Sequence, residues 1–217
     1  MGGKLVARRG GSRNFLLVEG RDDKHVFYNL LKHYNVPDEF EIVDTDGIEQ
    51  LKDAFAASLV SSELKLLGVV VDADSELNAR WLSLRNMMIN AGYNSIPMIP
   101  DANGTIVKQQ GKMTVGIWLM PDNILPGMIE DFIKFLVPED DVLWPLSEEI
   151  VQKVIEIDCK FRPSYRSKAY LHTWLAWQEE PGGPMGQAIT KRYLNADESH
   201  AQQLIAWIRQ LFELETT

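Results

Sequence analysis

Short aliphatic runs alternate with amphipathic stretches along the first 135 or so residues of the chain. Runs rich in β-branched residues, with no polar residue in alternate positions, are typical of strands buried on both faces. We predict such strands at 14–18, 40–43 and 66–71. Apolar residues spaced three and four apart predict helices at 24–34, 48–59 and 76–90. Strands and helices that alternate at this spacing predict right-handed crossovers and a parallel sheet, so the predicted fold class is α/β.

A less regular passage follows the third helix. Short strands are predicted at 95–99 and 105–108, and a longer core strand at 115–120. A helix is predicted at 128–136. These elements would complete an α/β domain that we place at residues 1–137.

From Pro138 onward the pattern becomes helical, with amphipathic stretches at 147–157, 167–177 and 201–214. We predict that residues 138–217 form a helical extension packed on the sheet domain. This extension carries Trp174, Trp177 and Trp207. Tryptophans at helical spacing can stack on nucleic-acid bases, but they are more often core residues, and we interpret them as core.

Composition narrows the classes of protein that fit. The 217 residues carry a formal net charge of -9, which argues against wrapping of nucleic acid by the whole surface but not against a local basic groove. The basic opening segment, residues 1–13, is interpreted as an edge or mobile segment and not as a phosphate-binding arm. A single cysteine, Cys159, predicts a reducing cytoplasmic location, and no apolar run of membrane-spanning length is present.

Acidic side chains follow several of the predicted strands. Asp72 and Asp74 come directly after the 66–71 strand, and Glu19 follows the 14–18 strand just before Gly20. The carboxyl ends of parallel strands carry the sites of open α/β sheets. Since strand side chains alternate between faces, two aspartates spaced by two can point the same way and bind one hard cation. The next acids, Asp22 or Asp23, are expected to cap the 24–34 helix.

More acids follow the 115–120 strand. Asp122 comes just after it, and Glu130 and Asp131 fall in the first turn of the next helix. Acids in a first turn often only complement the helix dipole, and aspartates after strands often only make turns. The acids at the strand ends could therefore be scaffold, or belong to a nucleotide or sensory site of a flavodoxin-like fold.

Two segments together resemble the Toprim domain of topoisomerases, primases and OLD-family nucleases. They are Leu16-Leu17-Val18-Glu19-Gly20 and Val69-Val70-Val71-Asp72-Ala73-Asp74. The resemblance covers roughly residues 1–135, and the region 115–132 is similar to the matching region of stand-alone Toprim-like proteins of uncharacterised function. Lys168 resembles the lysine that OLD-type nucleases carry after their acidic motifs.

The resemblance implies an Mg²⁺- or Mn²⁺-dependent nuclease that cleaves phosphodiester bonds in DNA or RNA, in a defence or repair system. It implies that Asp72 and Asp74 are metal ligands and that Glu19 is a ligand or the general base. The remaining acidic candidates, which would bind a second ion, are Asp122, Glu130 and Asp131. The basic candidates, which would bind the substrate or stabilise the charge of the transition state, are Arg21, Arg166 and Lys168.

Two alternatives remain. The chain could be a non-catalytic module that binds nucleic acid or a protein through a degenerate Toprim fold, or a nucleotidyl transferase of primase type, for which no separate primer- or nucleotide-binding region is evident. No Walker-type phosphate-binding motif is present, so the resemblance to OLD proteins implies that any ATPase is a separate partner.

Overall fold

Five strands form the centre of the computed structural model, which describes residues 13–215. The basic opening segment, apart from Arg13, lies outside the described residues. The strands are β1 (Asn14–Val18), β2 (Glu41–Asp44), β3 (Leu66–Asp72), β4 (Thr105–Val107) and β5 (Thr114–Met120). All five overlap strands predicted from the hydrophobic pattern, and β1 has the predicted bounds.

Eight α-helices surround the sheet in the described part of the chain. They are α1 (Arg21–His33), α2 (Ile48–Leu59), α3 (Leu77–Asn90), α4 (Ile129–Phe135), α5 (Leu143–Asp158), α6 (Arg166–Leu175), α7 (Met185–Thr190) and α8 (Ser199–Leu211). A 3-10 turn at Pro163–Tyr165 precedes α6. None of the described helices is long and apolar enough to cross a membrane.

The strands pair in the order β2-β1-β3-β5-β4. The first four are parallel, which confirms the predicted α/β class, and β4 runs antiparallel to β5 at one edge. The chain returns from β4 to β5 through residues 108–113. So short a connection permits an antiparallel pair, because a parallel crossover needs a dozen or more residues.

Both faces of the sheet are covered, as the uninterrupted apolar strands require. One core lies beneath α2 and α3, where Phe55 and Trp81 pack against alternate residues of the strands. The other lies beneath α1, α4 and the C-terminal helices, and it is continuous from the sheet to α8. The described part of the 138–217 segment therefore shares one hydrophobic core with the sheet.

Two strand glycines allow α8 to lie close to the sheet. A Cβ on Gly116 would come within 2.5 Å of a Leu211 methyl, and one on Gly68 within 2.5 Å of Leu16 and 3.0 Å of Leu211. The Trp207 ring fills the neighbouring space against Trp118, with ring centroids 5.6 Å apart. Trp207 and Trp174 are fully buried, in agreement with their interpretation as core residues, whereas Trp177 is 38% exposed and its interpretation as core is wrong.

One predicted strand is absent from the structure, and one short helix was not predicted. Residues 95–99 form no strand, since Pro97 and Pro100 supply no amide hydrogens for a ladder. The segment is held instead by side chains of α3: the Trp81 Nε1 donates to the Met98 carbonyl at 3.1 Å, and the Arg85 Nε to the Pro97 carbonyl at 3.0 Å. Helix α7 was not predicted, because it spans only 6 residues after a Pro-Gly-Gly-Pro turn.

Candidate functional site

Glu19 and Asp72 meet at the carboxyl edge of the sheet. Strands β1 and β3 are parallel neighbours, with Leu17 in register with Val69. Glu19 follows β1 and Asp72 ends β3. The backbone amide of Asp72 donates a hydrogen bond to the Glu19 Oε1 at 2.8 Å. Two acids that are 53 positions apart in the chain are therefore in direct contact.

The Asp72 carboxylate faces the start of α4. Its Oδ1 accepts a hydrogen bond from the Ile129 backbone amide at 3.0 Å, and Ile129 is the first residue of that helix. The positive end of the helix dipole favours the charged carboxylate. Burial acts in the opposite direction and, together with the nearby Glu19, Asp23 and Glu130 carboxylates, raises the pKa of Asp72 well above its ordinary value.

Asp23 belongs to the same group of acids, which corrects its predicted role as a helix cap. Helix α1 begins at Arg21, with Gly20 as its N-cap residue and no side-chain cap, so Asp22 and Asp23 lie inside the first turn. Burial raises the pKa of Asp23 to about 7, and the Glu19 and Glu130 charges add to the effect. The sequence signal that could have identified Asp23 as a member of this group is its position four residues after Glu19, across the Gly20 turn.

Glu130 completes what we call the carboxylate cluster, which consists of Glu19, Asp23, Asp72 and Glu130. Glu130 is buried in the first turn of α4. The Lys168 Nζ lies 3.5 Å from its Oε1, and about half of the lysine side chain is exposed. Lys168 is on α6, in the segment after residue 138. The cluster is therefore built from β1, α1, β3 and α4, and its cationic neighbour comes from a helix of the C-terminal segment.

Asp131 and Asp122 are engaged in local structure. The Asp131 Oδ2 accepts a hydrogen bond from the Met128 amide at 2.8 Å, and its Oδ1 accepts one from the Ser167 hydroxyl at 2.6 Å. The Asp122 Oδ1 accepts bonds from the Ile124 and Leu125 amides at 3.0 and 2.7 Å. Asp131 thus caps α4 and ties it to α6, and Asp122 forms a turn. Sequence reasoning did not identify Ser167.

Asp74 lies just beyond β3, and its charge adds to the effect of burial, which raises the pKa of both Asp72 and Glu19. Its φ of 52° lies in the left-handed region, so the strand alternation that the same-face expectation assumes ends at Asp72. The carboxylate of Asp74 is exposed and pairs with the Arg80 guanidinium, whose Nε donates to the Asp72 carbonyl at 2.9 Å. Asp74 and Arg80 also line a groove of about 280 Å³ beside the cluster.

Arg21 and Arg166 open helices α1 and α6, and both side chains are exposed. Arg21 follows Glu19 by two residues, and Arg166 precedes Lys168 by two. Both arginines therefore belong to the helix starts that also carry Asp23 and Lys168.

A divalent cation at this edge of the sheet would find few protein ligands. In residues 13–215, no three carboxylate, imidazole or thiol groups converge closely enough to hold an ion by themselves. Mg²⁺ is commonly bound by only one or two carboxylates, with water and substrate phosphates as its other ligands. Asp72 and Glu19, in contact through the Asp72 amide and surrounded by further buried acids, offer oxygen donors of that type.

The raised pKa of Asp23 predicts a measurable pH dependence of stability. Its ordinary pKa is 3.8 and its pKa in the folded protein is about 7. Between these values the folded state keeps a proton that the unfolded state has lost, so stability falls as pH rises, by roughly 1.4 kcal/mol per pH unit. Asp23→Asn should remove this contribution and make the protein more stable than wild type at pH 8, with little difference at pH 4.

Urea unfolding at pH 4, 6 and 8 measures this effect. Asp53→Asn, at an exposed position of α2, is the matched control and should follow the wild-type pH profile. Equal stability changes for Asp23→Asn at all three pH values would contradict burial of Asp23 among the other acids.

Comparison with known proteins places the chain in one family. No curated protein and no solved structure matches the chain. One family model does match, over residues 13–213, and its description is "Protein of unknown function (DUF3226)". The match includes all the strands and helices that build the carboxylate cluster, together with α6 and α8. Because it spans most of the 217 residues, the chain belongs to the DUF3226 family.

Proposed function

We propose that this protein is an Mg²⁺-dependent nuclease of Toprim type, which cleaves phosphodiester bonds in DNA or RNA at the carboxylate cluster. The observation that carries the proposal is the contact of Glu19 with Asp72 at the edge of a mostly parallel sheet, with buried Asp23 and Glu130 nearby. Burial and the neighbouring carboxylates disfavour ionisation of Asp23 and Asp72. A bound cation would relieve the repulsion between these carboxylates.

Each of the site residues has a separate role in this proposal. Asp72 and Glu19 would hold Mg²⁺, which supplies polarisation of a phosphoryl oxygen and a lowered pKa for bound water. Lys168 is half exposed beside Glu130, and its ammonium group would neutralise a phosphate oxygen of the substrate. Exposed Arg21 and Arg166 would bind the flanking backbone phosphates. The likeness to OLD proteins further supports cooperation with a separate ATPase.

A second candidate function is supported by specific contacts. Asp74 pairs with Arg80, and both oxygens of Asp131 accept hydrogen bonds from the protein. These two acids, expected as metal ligands, are thus already engaged. A degenerate Toprim-like module that binds nucleic acid or a protein without cutting it needs no metal ligands, so it could keep Asp74 and Asp131 in these contacts.

Metal titration followed by a cleavage assay separates the two candidates. We expect Mg²⁺ or Mn²⁺ at about 100 times Kd to stabilise the fold by roughly 2.7 kcal/mol, which for a chain of this size raises Tm by several degrees. The rise should be larger at pH 8 than at pH 6, because protons compete for the raised-pKa acids at the lower pH. KCl at matched ionic strength is the control.

The same preparations are then incubated with plasmid DNA and with single-stranded RNA. Cleavage that needs Mg²⁺ or Mn²⁺ supports the nuclease. Metal stabilisation without cleavage supports the non-catalytic module, and the absence of any metal-specific shift would overturn the metal site itself.

A further inference from the structure

Arg80 lies beside the carboxylate cluster, in the first turn of α3. Its backbone amide donates a hydrogen bond to the carbonyl of Glu76, the N-cap residue of that helix, at 3.0 Å. The next residue, Trp81, is fully buried in the core beneath α2 and α3. The side chain of Arg80 is only 13% exposed, which is low for an arginine. Its guanidinium is therefore held mainly by other parts of the protein.

The guanidinium contacts the chain at two points where β3 ends. Its Nε donates a hydrogen bond to the Asp72 carbonyl at 2.9 Å, and its Nη2 pairs with the Asp74 carboxylate. A guanidinium presents its donors in a rigid planar fork. The two contacts therefore fix the Asp72 carbonyl and the Asp74 carboxylate relative to each other.

Both peptide units that flank the Cα of Asp72 are held by contacts of this kind. The following unit is held by Arg80 at its carbonyl, and by the Met120 carbonyl, to which the Ala73 amide donates at 3.3 Å. The preceding unit is held by Glu19, which accepts a hydrogen bond from the Asp72 amide at 2.8 Å. Because each peptide unit is planar, these contacts together determine the direction in which the Asp72 side chain points.

We propose that Arg80 is a positioning residue, which holds the Asp72 carboxylate in the direction in which it can bind a divalent cation together with Glu19. This role rests on the proposed function, because that function supplies the cation. Arg80 contacts the backbone of Asp72 and leaves its carboxylate available. The charge of Arg80 is paired with that of Asp74, so the pair adds no net positive charge to oppose the cation.

Hydrogen exchange of the Ile129 amide reports on the Asp72 carboxylate without any metal. Ile129 is the first residue of α4, so its amide has no acceptor within the helix. It donates instead to the Asp72 Oδ1 at 3.0 Å. Arg80→Lys keeps the positive charge but loses the planar fork, so it should raise the exchange rate of this amide by roughly tenfold. Asp72→Ala removes the acceptor and gives the rate of the unprotected amide.

Arg85→Lys is the matched control for this measurement. Arg85 is also on α3, and its Nε donates to a backbone carbonyl in the same way, that of Pro97 at 3.0 Å. It makes no contact of this kind with Asp72, so Ile129 should exchange at the wild-type rate in the control. Circular dichroism checks that both lysine variants are folded. A wild-type exchange rate in Arg80→Lys, or an equal increase in both variants, would overturn the positioning role.

Metal affinity is the second measurement. Thermal shifts over a concentration series of Mn²⁺, and then of Mg²⁺, give an apparent Kd for the wild type and for each variant. Residues that orient metal ligands contribute roughly 10- to 100-fold to metal affinity, so the Kd of Arg80→Lys should rise by about that factor. The Kd of Arg85→Lys should stay at the wild-type value.

The two ways in which this role could fail are distinguishable. A wild type that binds metal, with the same Kd in Arg80→Lys, would overturn the role of Arg80 and leave the metal site in place. A wild type that binds neither ion would overturn the proposed metal site and the role of Arg80 with it. The role of Arg80 is supported when Arg80→Lys, and not Arg85→Lys, both weakens metal binding and speeds exchange of the Ile129 amide.

Discussion

Asp72→Asn should reduce Mg²⁺-dependent cleavage by roughly a hundredfold or more, the scale on which the loss of one charge-stabilising group acts. The substitution keeps the shape of the side chain, and the amide oxygen can still accept the Ile129 hydrogen bond that Asp72 accepts at 3.0 Å. Only the negative charge is removed from the cluster. The variant should therefore fold normally and lose both cleavage and the metal-induced rise in Tm. Asp72→Ala should have the same effect on cleavage.

Asp46→Asn is the matched control for this substitution. Asp46 is exposed just after β2, at the same edge of the sheet, and its φ of 61° is one that asparagine adopts readily. Its cleavage rate should stay close to that of the wild type. Cleavage by Asp72→Asn within a few-fold of wild type would show that Asp72 has no essential catalytic role, and the nuclease proposal would then lose its central residue.

Trp207→Ala should lower the free energy of unfolding by about 3–5 kcal/mol, the usual range for a fully buried aromatic residue. The indole of Trp207 occupies the space beside Gly104, where an added Cβ would come within 2.3 Å of the ring. It also lies against Trp118 of β5, which places α8 directly on the sheet. The loss should appear in urea unfolding as a lower midpoint in a single cooperative transition.

Trp177→Ala is the control for residue type and for position in the C-terminal segment. Its side chain is 38% exposed, so its loss should cost much less than that of Trp207. Trp207→Phe provides a milder change if the alanine variant does not fold. Two separate transitions in the wild type would show that residues 138–217 unfold independently of the sheet. Equal effects of the Trp207 and Trp177 substitutions would contradict the burial of Trp207.

The raised pKa values and the proposed metal site have one physical origin. Glu19, Asp23 and Asp72 lose hydration where β1, α1 and β3 meet, which raises the pKa of each, and the Glu19 charge raises the pKa of Asp23 and Asp72 further. Such arrangements destabilise a protein at neutral pH and are concentrated at functional sites. The pH dependence of stability expected for Asp23→Asn and the metal-induced stabilisation expected for the wild type are therefore two independent tests of the same cluster.

The hydrophobic pattern determined the α/β class and the order of strands and helices, because burial of a strand on both faces requires an uninterrupted apolar run. The same pattern identified Glu19 and Asp72 as strand-end acids, since strands of a parallel sheet finish at one edge. It failed at residues 95–99, where a strand was predicted although Pro97 lies within the segment and Pro100 follows it. It also placed the start of α1 three residues late, and so Asp23 was interpreted as a cap.

The tertiary structure decided which acids lie together. Asp74 pairs with Arg80 and its charge still acts on Glu19 and Asp72, while the packing of α1 and α4 brought Asp23 and Glu130 to the same two acids. The partners Lys168 and Ser167 come from α6, more than 30 residues later in the chain than the acids of α4 that they contact. The hydrophobic periodicity of a segment indicates which of its faces is buried and which is exposed to solvent. Contacts between distant segments depend on how those surfaces pack, and only the folded chain determines that.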